Sequence, residues 1–130
     1  MGTGTGAIVF TGVQTAAGFY TSVTRLGAGD TIDFSATAND GGGFAAGVLG
    51  VKITLGVASS FANYLDAATA GDGSTDSAFA WIQFNGDTYI TLDNSNAATH
   101  QDGGDQVVEI TSLVNLATSI QDSSYVVTLV

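Results

Sequence analysis

Alternating apolar and polar positions, which are typical of β-strands, recur along most of this chain. Residues 30–35 alternate cleanly, so that Ile32 and Phe34 are predicted on one face and hydroxyl or carboxyl side chains on the other. Other short runs rich in Val, Ile and Thr are bounded by Gly, Asp or Asn and also predict strands. These runs are residues 7–13, 18–24, 48–57, 105–111, 113–116 and 124–130.

The clearest element is a hairpin formed by residues 78–84 and 87–93. The Asn85-Gly86 pair between them favours a type I′ turn, because both central residues of that turn need a positive φ. A two-residue loop fixes the register and places Trp81 opposite Ile90. We predict that one face of the hairpin enters the core with Phe79, Trp81, Ile90 and Leu92. The other face carries Ala80, Ile82, Tyr89 and Thr91.

A single segment, residues 59–70, changes to helical periodicity. Its apolar positions recur at helical spacing, at Phe61, Leu65 and Ala68. Ser59 or Ser60 is predicted to cap its beginning, and Gly71 to end it. The sequence therefore predicts an all-β domain, a β-sandwich or a β-roll-like fold, in which one short helix covers an apolar face.

We expect residues 1–130 to form one domain, with residues 1–6 flexible. Two glycines inside the strand predicted over residues 48–57, Gly50 and Gly56, are expected to mark bulges or close backbone approaches.

The charge balance excludes several classes of function. Two basic residues face twelve acidic ones, for a net charge of −10, and this balance cannot neutralise nucleic acid or attach to an anionic membrane. The chain has no cysteine, so it holds neither a disulfide nor a thiolate metal site. No apolar run approaches the roughly 20 residues of a membrane-spanning helix, and we expect no membrane insertion.

The acidic residues are mostly aspartates, and three of them follow a glycine and precede a strand. These steps are Gly29-Asp30, Gly86-Asp87 and Gly104-Asp105. Aspartate beside glycine first indicates a turn, since its carboxylate accepts nearby backbone hydrogen bonds. The alternative is calcium, which prefers carboxylate oxygens. The candidate calcium ligands are Asp30, Asp33, Asp102 and Asp105.

Residues 27–35, Gly-Ala-Gly-Asp-Thr-Ile-Asp-Phe-Ser, resemble the nonapeptides of RTX proteins, in which tandem Gly- and Asp-rich turns bind calcium. This segment lacks one residue between the last Gly and Asp30 and has no tandem copy. A broader similarity, over residues 26–130, is to the C-terminal domain of bacterial S-layer and related RTX-type surface proteins. The segments that carry it are residues 61–68, 71–73, 80–90, 105–111 and 113–116, of which 80–90 is the most specific.

The resemblance implies an extracellular, cell-surface structural module that associates with itself and leaves the cell by type I secretion. It also implies an uncleaved C-terminal export signal that the secretion machinery reads. An acid before a short apolar run fits this signal, and the first residues lack the basic and apolar regions of an N-terminal leader. The candidate signal residues are Asp122, Tyr125, Val126, Val127, Leu129 and Val130. The same tail is also predicted as a core strand, and one strand is able to serve both roles.

Catalysis finds little support in the sequence. His100 is the one histidine, and its place in the polar segment 93–101 predicts a solvated side chain. No Gly-x-Ser-x-Gly motif is present. We therefore expect a non-enzymatic protein. Two alternatives stay open: a secreted β-domain that binds a carbohydrate or another ligand, and a small secreted hydrolase with a carboxylate pair.

Overall fold

The computed structural model describes residues 6–9, 21–35, 47–69, 78–95, 97–101 and 104–130. Within these ranges the chain forms short strands and one short helix, which confirms the predicted all-β class. The elements are β1 (Ala7–Val9), β2 (Thr21–Val23), β3 (Thr31–Asp33), β4 (Gly47–Val48), β5 (Val51–Ile53), α1 (Phe61–Thr69), β6 (Ala78–Phe84), β7 (Asp87–Asp93), β8 (Gln106–Ile110), β9 (Ile120–Gln121) and β10 (Val126–Thr128).

The strands form two five-stranded sheets. Sheet A has the order β1-β3-β10-β9-β4, and sheet B has the order β2-β8-β7-β6-β5. Three pairs are parallel, β1 with β3, β2 with β8, and β5 with β6, and the other pairs are antiparallel. One apolar cluster draws residues from both sheets, so the sheets pack face to face as a sandwich.

The hairpin β6–β7 has the register that its turn predicts. Trp81 lies opposite Ile90 and Phe84 opposite Asp87, while Asn85 and Gly86 have φ angles of 50° and 92°. Both values lie in the left-handed region that a type I′ turn requires.

The four residues predicted on the core face, Phe79, Trp81, Ile90 and Leu92, are buried in the cluster between the sheets. From sheet A, Ile32 and Val127 enter the same cluster. The ring of Phe34 meets the ring of Phe79 edge to face, with centroids 5.2 Å apart.

The other face of the hairpin is also buried, because helix α1 packs across it. Leu65 and Ala68 of the helix form a second cluster with Ala80, Ile82 and Tyr89. Sheet B is therefore covered on both faces, by sheet A and by the helix. The layers follow the order sheet A, sheet B, helix.

Helix α1 begins after a reciprocal cap at Ser60. The Ser60 hydroxyl oxygen accepts the backbone N–H of Asn63 at 3.2 Å, and Asn63 Oδ1 accepts the backbone N–H of Ser60 at 3.0 Å. This is a capping box with Asn in the place usually taken by Glu or Gln. Of the two predicted caps, the structure selects Ser60. The predicted end at Gly71 lies outside the described residues.

The long strand predicted over residues 48–57 is wrong as one element, since the chain leaves sheet A after β4 and enters sheet B at β5. Gly50 lies at this crossing, where a Cβ atom would stand 1.7 Å from the carbonyl oxygen of Phe79. The expected close approach is therefore confirmed at Gly50. Gly56 has open space around the corresponding position, so the expectation is wrong there.

The strand predicted over residues 113–116 is also absent, because its backbone is bonded to side chains of sheet B rather than to a neighbouring strand. The carbonyl oxygen of Val114 accepts the Gln83 amide at 2.9 Å, and its N–H donates to Thr88 Oγ1 at 2.8 Å.

The predicted strands over 7–13 and 18–24 are described only at residues 7–9 and 21–24, and residues 1–5 of the segment expected to be flexible lie outside the described ranges. None of the described helices has the length and apolar character needed to cross a membrane.

Candidate functional site

The first candidate calcium ligand, Asp30, is a buried carboxylate held by two backbone amides. It precedes β3 and is 1% exposed. Its Oδ2 accepts the N–H of Gly27 at 2.7 Å, within the preceding loop, and its Oδ1 accepts the N–H of Gly6 at 2.6 Å, at the start of β1. These bonds, that from Gly27 first, hold the pKa of Asp30 below its usual range, because they stabilise the charged form.

Asp105 has the same arrangement on sheet B. It precedes β8 and is also 1% exposed. Its Oδ2 accepts the N–H of Gln101 at 2.7 Å, in the preceding loop, and its Oδ1 accepts the N–H of Asn94 at 2.9 Å, just after β7. The Ser95 hydroxyl lies 3.5 Å from Oδ2.

We call each of these units an aspartate brace: a buried Asp before a strand, one loop amide three or four residues earlier, and one amide beside a neighbouring strand. In both units the backbone closes the loop as well, since the Asp30 N–H donates to Gly27 O at 3.0 Å and the Asp105 N–H to Gln101 O at 2.9 Å. The braces fix the start of β3 in sheet A and of β8 in sheet B. The third Gly-Asp step differs, because Gly86 belongs to the hairpin turn.

The other two candidate ligands do not join Asp30 and Asp105 in one site. Asp33 lies at the far end of β3, where its Oδ1 accepts the N–H of Ser35 at 2.8 Å. Positions 30 and 33 are an odd number of residues apart along extended chain, which directs their side chains to opposite faces. Asp102 lies outside the described residues. Among the residues that are described, no group of three or more His, Asp or Glu side chains is placed so that it could hold a metal ion.

The prediction that His100 is solvated is wrong. Its side chain is 11% exposed, with Nδ1 3.7 Å from Oδ2 of Asp105. Its backbone N–H donates to Oδ1 of Asp66 on α1 at 3.0 Å. The polar segment folds back between the helix and the second brace, which buries the imidazole. The sequence gives no signal for the contact between His100 and Asp66, since 34 residues separate them.

The candidate export signal forms the centre of sheet A. β10 pairs on one side with β3 and on the other with β9. Val127 and Leu129 are buried in the core, as is Tyr125, while Val126 is half-buried and Val130 is exposed. Asp122 precedes them in an exposed turn, where its Oδ1 accepts the N–H groups of Ser124 at 2.8 Å and Val126 at 3.0 Å.

The outer face of sheet A is a further candidate surface, which the sequence pattern did not single out. Ile120 pairs with Thr128, and Thr128 pairs with Thr31, in a row that points away from the buried Ile32 and Val127. Ile120 is 47% exposed, and Val130 beyond β10 is 61% exposed. We call this surface the A face: Thr31, Asp33, Ile120, Val126, Thr128 and Val130. None of the described elements packs across it, and among its named residues only Asp33 has a charged side chain.

No protein-family model matches the sequence, and no curated protein matches it either. The resemblance to S-layer and RTX-type proteins therefore rests on the residues quoted for it.

Proposed function

We propose that this chain is a non-enzymatic structural module of an extracellular surface layer or fibre, in which copies associate through the A face. The observation that carries the proposal is the A face itself. A net charge of −10 repels a second copy. The A face brings isoleucine, valine and threonine with one charged side chain, so a contact between two A faces adds little repulsion between charged side chains.

The polar groups that most resemble a site support a structural role. Both carboxyl oxygens of Asp30 and of Asp105 accept backbone N–H groups, and His100 lies against the second brace. These groups join loops to strands. Within the proposal, salt or calcium promotes association by reducing the repulsion between copies.

The association is tested by sedimentation velocity at low salt with a chelator, and again with millimolar calcium or about 0.5 M NaCl. We expect a larger species when repulsion is reduced, and we expect Ile120→Lys on the A face to abolish this increase in size. Val57→Lys is the matched control, because Val57 is also exposed and apolar but lies in the turn before α1. A parent chain that stays monomeric in every buffer, or equal loss in both variants, contradicts the proposal.

The proposal includes export by a type I system that reads the segment from Asp122 to Val130. Deleting this segment also removes the centre of sheet A, so a deletion confounds export with folding. Residues 118–130 appended to an unrelated reporter separate the two effects in a host that carries a type I exporter. We expect secretion of the reporter, and reduced secretion when Val126, Val127 and Leu129 are replaced by Ser. Equal secretion of both reporters contradicts the export role.

A further inference from the structure

Strand β10 fills a slot between β3 and β9 in the middle of sheet A. Beyond the ladders, the N–H of Gly29 donates to Leu129 O at 2.7 Å, and the N–H of Leu129 donates to Asp30 O at 2.9 Å. At the other end, the N–H of Phe34 donates to Tyr125 O at 3.0 Å. The slot therefore binds one extended segment along its whole length.

The slot also selects side chains in an alternating pattern. Tyr125, Val127 and Leu129 enter the core between the sheets, where they join Ile32 and Phe34. The apolar contacts and the backbone bonds both depend on the segment being present, and neither depends on which copy of the chain supplies it.

The turn that connects β9 to β10 holds a residue in an unfavourable backbone conformation. The N–H of Tyr125 donates to Asp122 O at 3.3 Å, and the N–H of Asp122 donates to Val126 O at 3.0 Å. This is a three-residue loop whose last position is left-handed, a position that favours Gly. Here Tyr125 occupies it with a φ of 63°, which costs an aromatic residue backbone free energy.

We propose that β10 exchanges between two copies of the chain, so that each copy fills the slot of the other. In the exchanged pair the turn opens, Tyr125 returns to an extended conformation, and the contacts of β10 form again with the same residues of the second copy. Short hinge loops under strain favour such domain swapping. This inference rests on the proposed self-association and gives it a second, distinct contact.

Engineered cysteines report the exchange directly, because the chain has none of its own. Ile32 and Val127 are direct antiparallel partners, a geometry whose Cα separation suits a disulfide. Both side chains are buried between the sheets, so a contact between two A faces does not bring them together. An Ile32→Cys chain and a size-tagged Val127→Cys chain are unfolded in urea, refolded together and equilibrated in a glutathione buffer. We expect a covalent heterodimer, since only exchange places the two cysteines in one ladder.

The control pair is Gln83→Cys with Thr88→Cys, which are partners across the β6–β7 hairpin and stay within one chain when β10 exchanges. We expect severalfold more heterodimer from the test pair than from this control. Equal yields overturn the inference. If the parent chain still sediments as a larger species, the proposed association stands without exchange; if it stays monomeric, both fail.

The hinge length provides a second measurement that does not need cysteines. Both hinge variants carry Ile120→Lys, which removes the A-face contact. Deleting Ser123 and Ser124 prevents the closed turn, and we expect this variant to be dimeric with the circular dichroism spectrum of the parent. Inserting two glycines after Ser123 relaxes the turn, and we expect the exchanged fraction to fall severalfold. A folded, monomeric deletion variant overturns the inference, as does an insertion that leaves the exchanged fraction unchanged.

Discussion

The carbonyl oxygen of Phe79 lies 1.7 Å from the position that a Cβ atom on Gly50 would take. A side chain is excluded there because the obstacle is the backbone of Phe79, the second residue of β6, which is held in place by its pairing with Leu92 of β7. The chain can therefore pass from sheet A to sheet B along this path only because Gly50 has no side chain.

Gly50→Ala is expected to lower the free energy of unfolding by about 3 kcal/mol, the upper end of the usual cost of overpacking. Urea unfolding followed by tryptophan fluorescence measures the change, since Trp81 is buried in the cluster that also contains Phe79. Gly56→Ala is the control: its Cβ meets open space, and we expect a change within about 1 kcal/mol. Equal stability of the two variants would contradict the prediction, because it would mean that the backbone of β6 moves to accommodate the new methyl group at little cost.

Ser60→Ala is expected to cost about 1 kcal/mol, because it removes the hydroxyl that accepts the N–H of Asn63 in the first turn of α1. Ser59→Ala, one residue earlier, is expected to change stability by less than about 0.5 kcal/mol. Thermal unfolding of both variants measures the difference. The assignment of the cap is wrong if Ser59→Ala is the more damaging change.

Asp105→Ala is expected to destabilise the domain by about 2–4 kcal/mol, because the N–H groups of Asn94 and Gln101 lose their acceptor. Asp87→Ala removes the same charge at a Gly-Asp step that belongs to a hairpin turn, and it serves as the control. Urea unfolding compares the two. If the two variants have the same free energy of unfolding, the aspartate brace at Asp105 does not stabilise the domain and the prediction is wrong.

Asp30 is expected to make stability dependent on acid. Its folded pKa lies below the unfolded value of about 3.8, so its contribution is fully present above that value and is lost as pH falls through the folded pKa. Asp30→Asn is therefore expected to be less stable at pH 7 and to lose less stability than the parent as pH falls below about 4.

The control for this pH profile is Asp33→Asn, which removes one negative charge from the same strand region without touching the brace. Urea unfolding at a series of pH values from 7 to about 2.5 gives all three profiles. Parallel profiles for the parent and Asp30→Asn would contradict the assigned role.

Patterns among residues close together in the sequence predict a large part of the fold. The register of the β6–β7 hairpin follows from Asn85-Gly86, because a two-residue turn leaves one way to pair the strands. The spacing of apolar residues predicts the helix, and the sequence before it offers two serines as the cap. These features depend on residues close together in the sequence.

Features that depend on distant residues were not predictable. The strand pattern from Val48 onward gives no sign that the chain changes sheets, since the pattern is the same in either sheet. The burial of His100 depends on Asp66, which lies on the helix. The burial of the second face of the hairpin, which carries Ala80 and Tyr89, follows only from the position of α1. The Gly-Asp steps indicated turns, but not that two of their carboxylates join neighbouring strands.

The helix covers one side of the sandwich, and this one-sidedness limits how copies can combine. Two copies that meet through their A faces use the same surface on both, which forms a symmetric pair and leaves nothing of that surface for a third. Each copy then has a valence of one through this contact. A continuous layer or fibre consequently needs a second, independent contact, and the pair joined at the A face becomes its repeating unit.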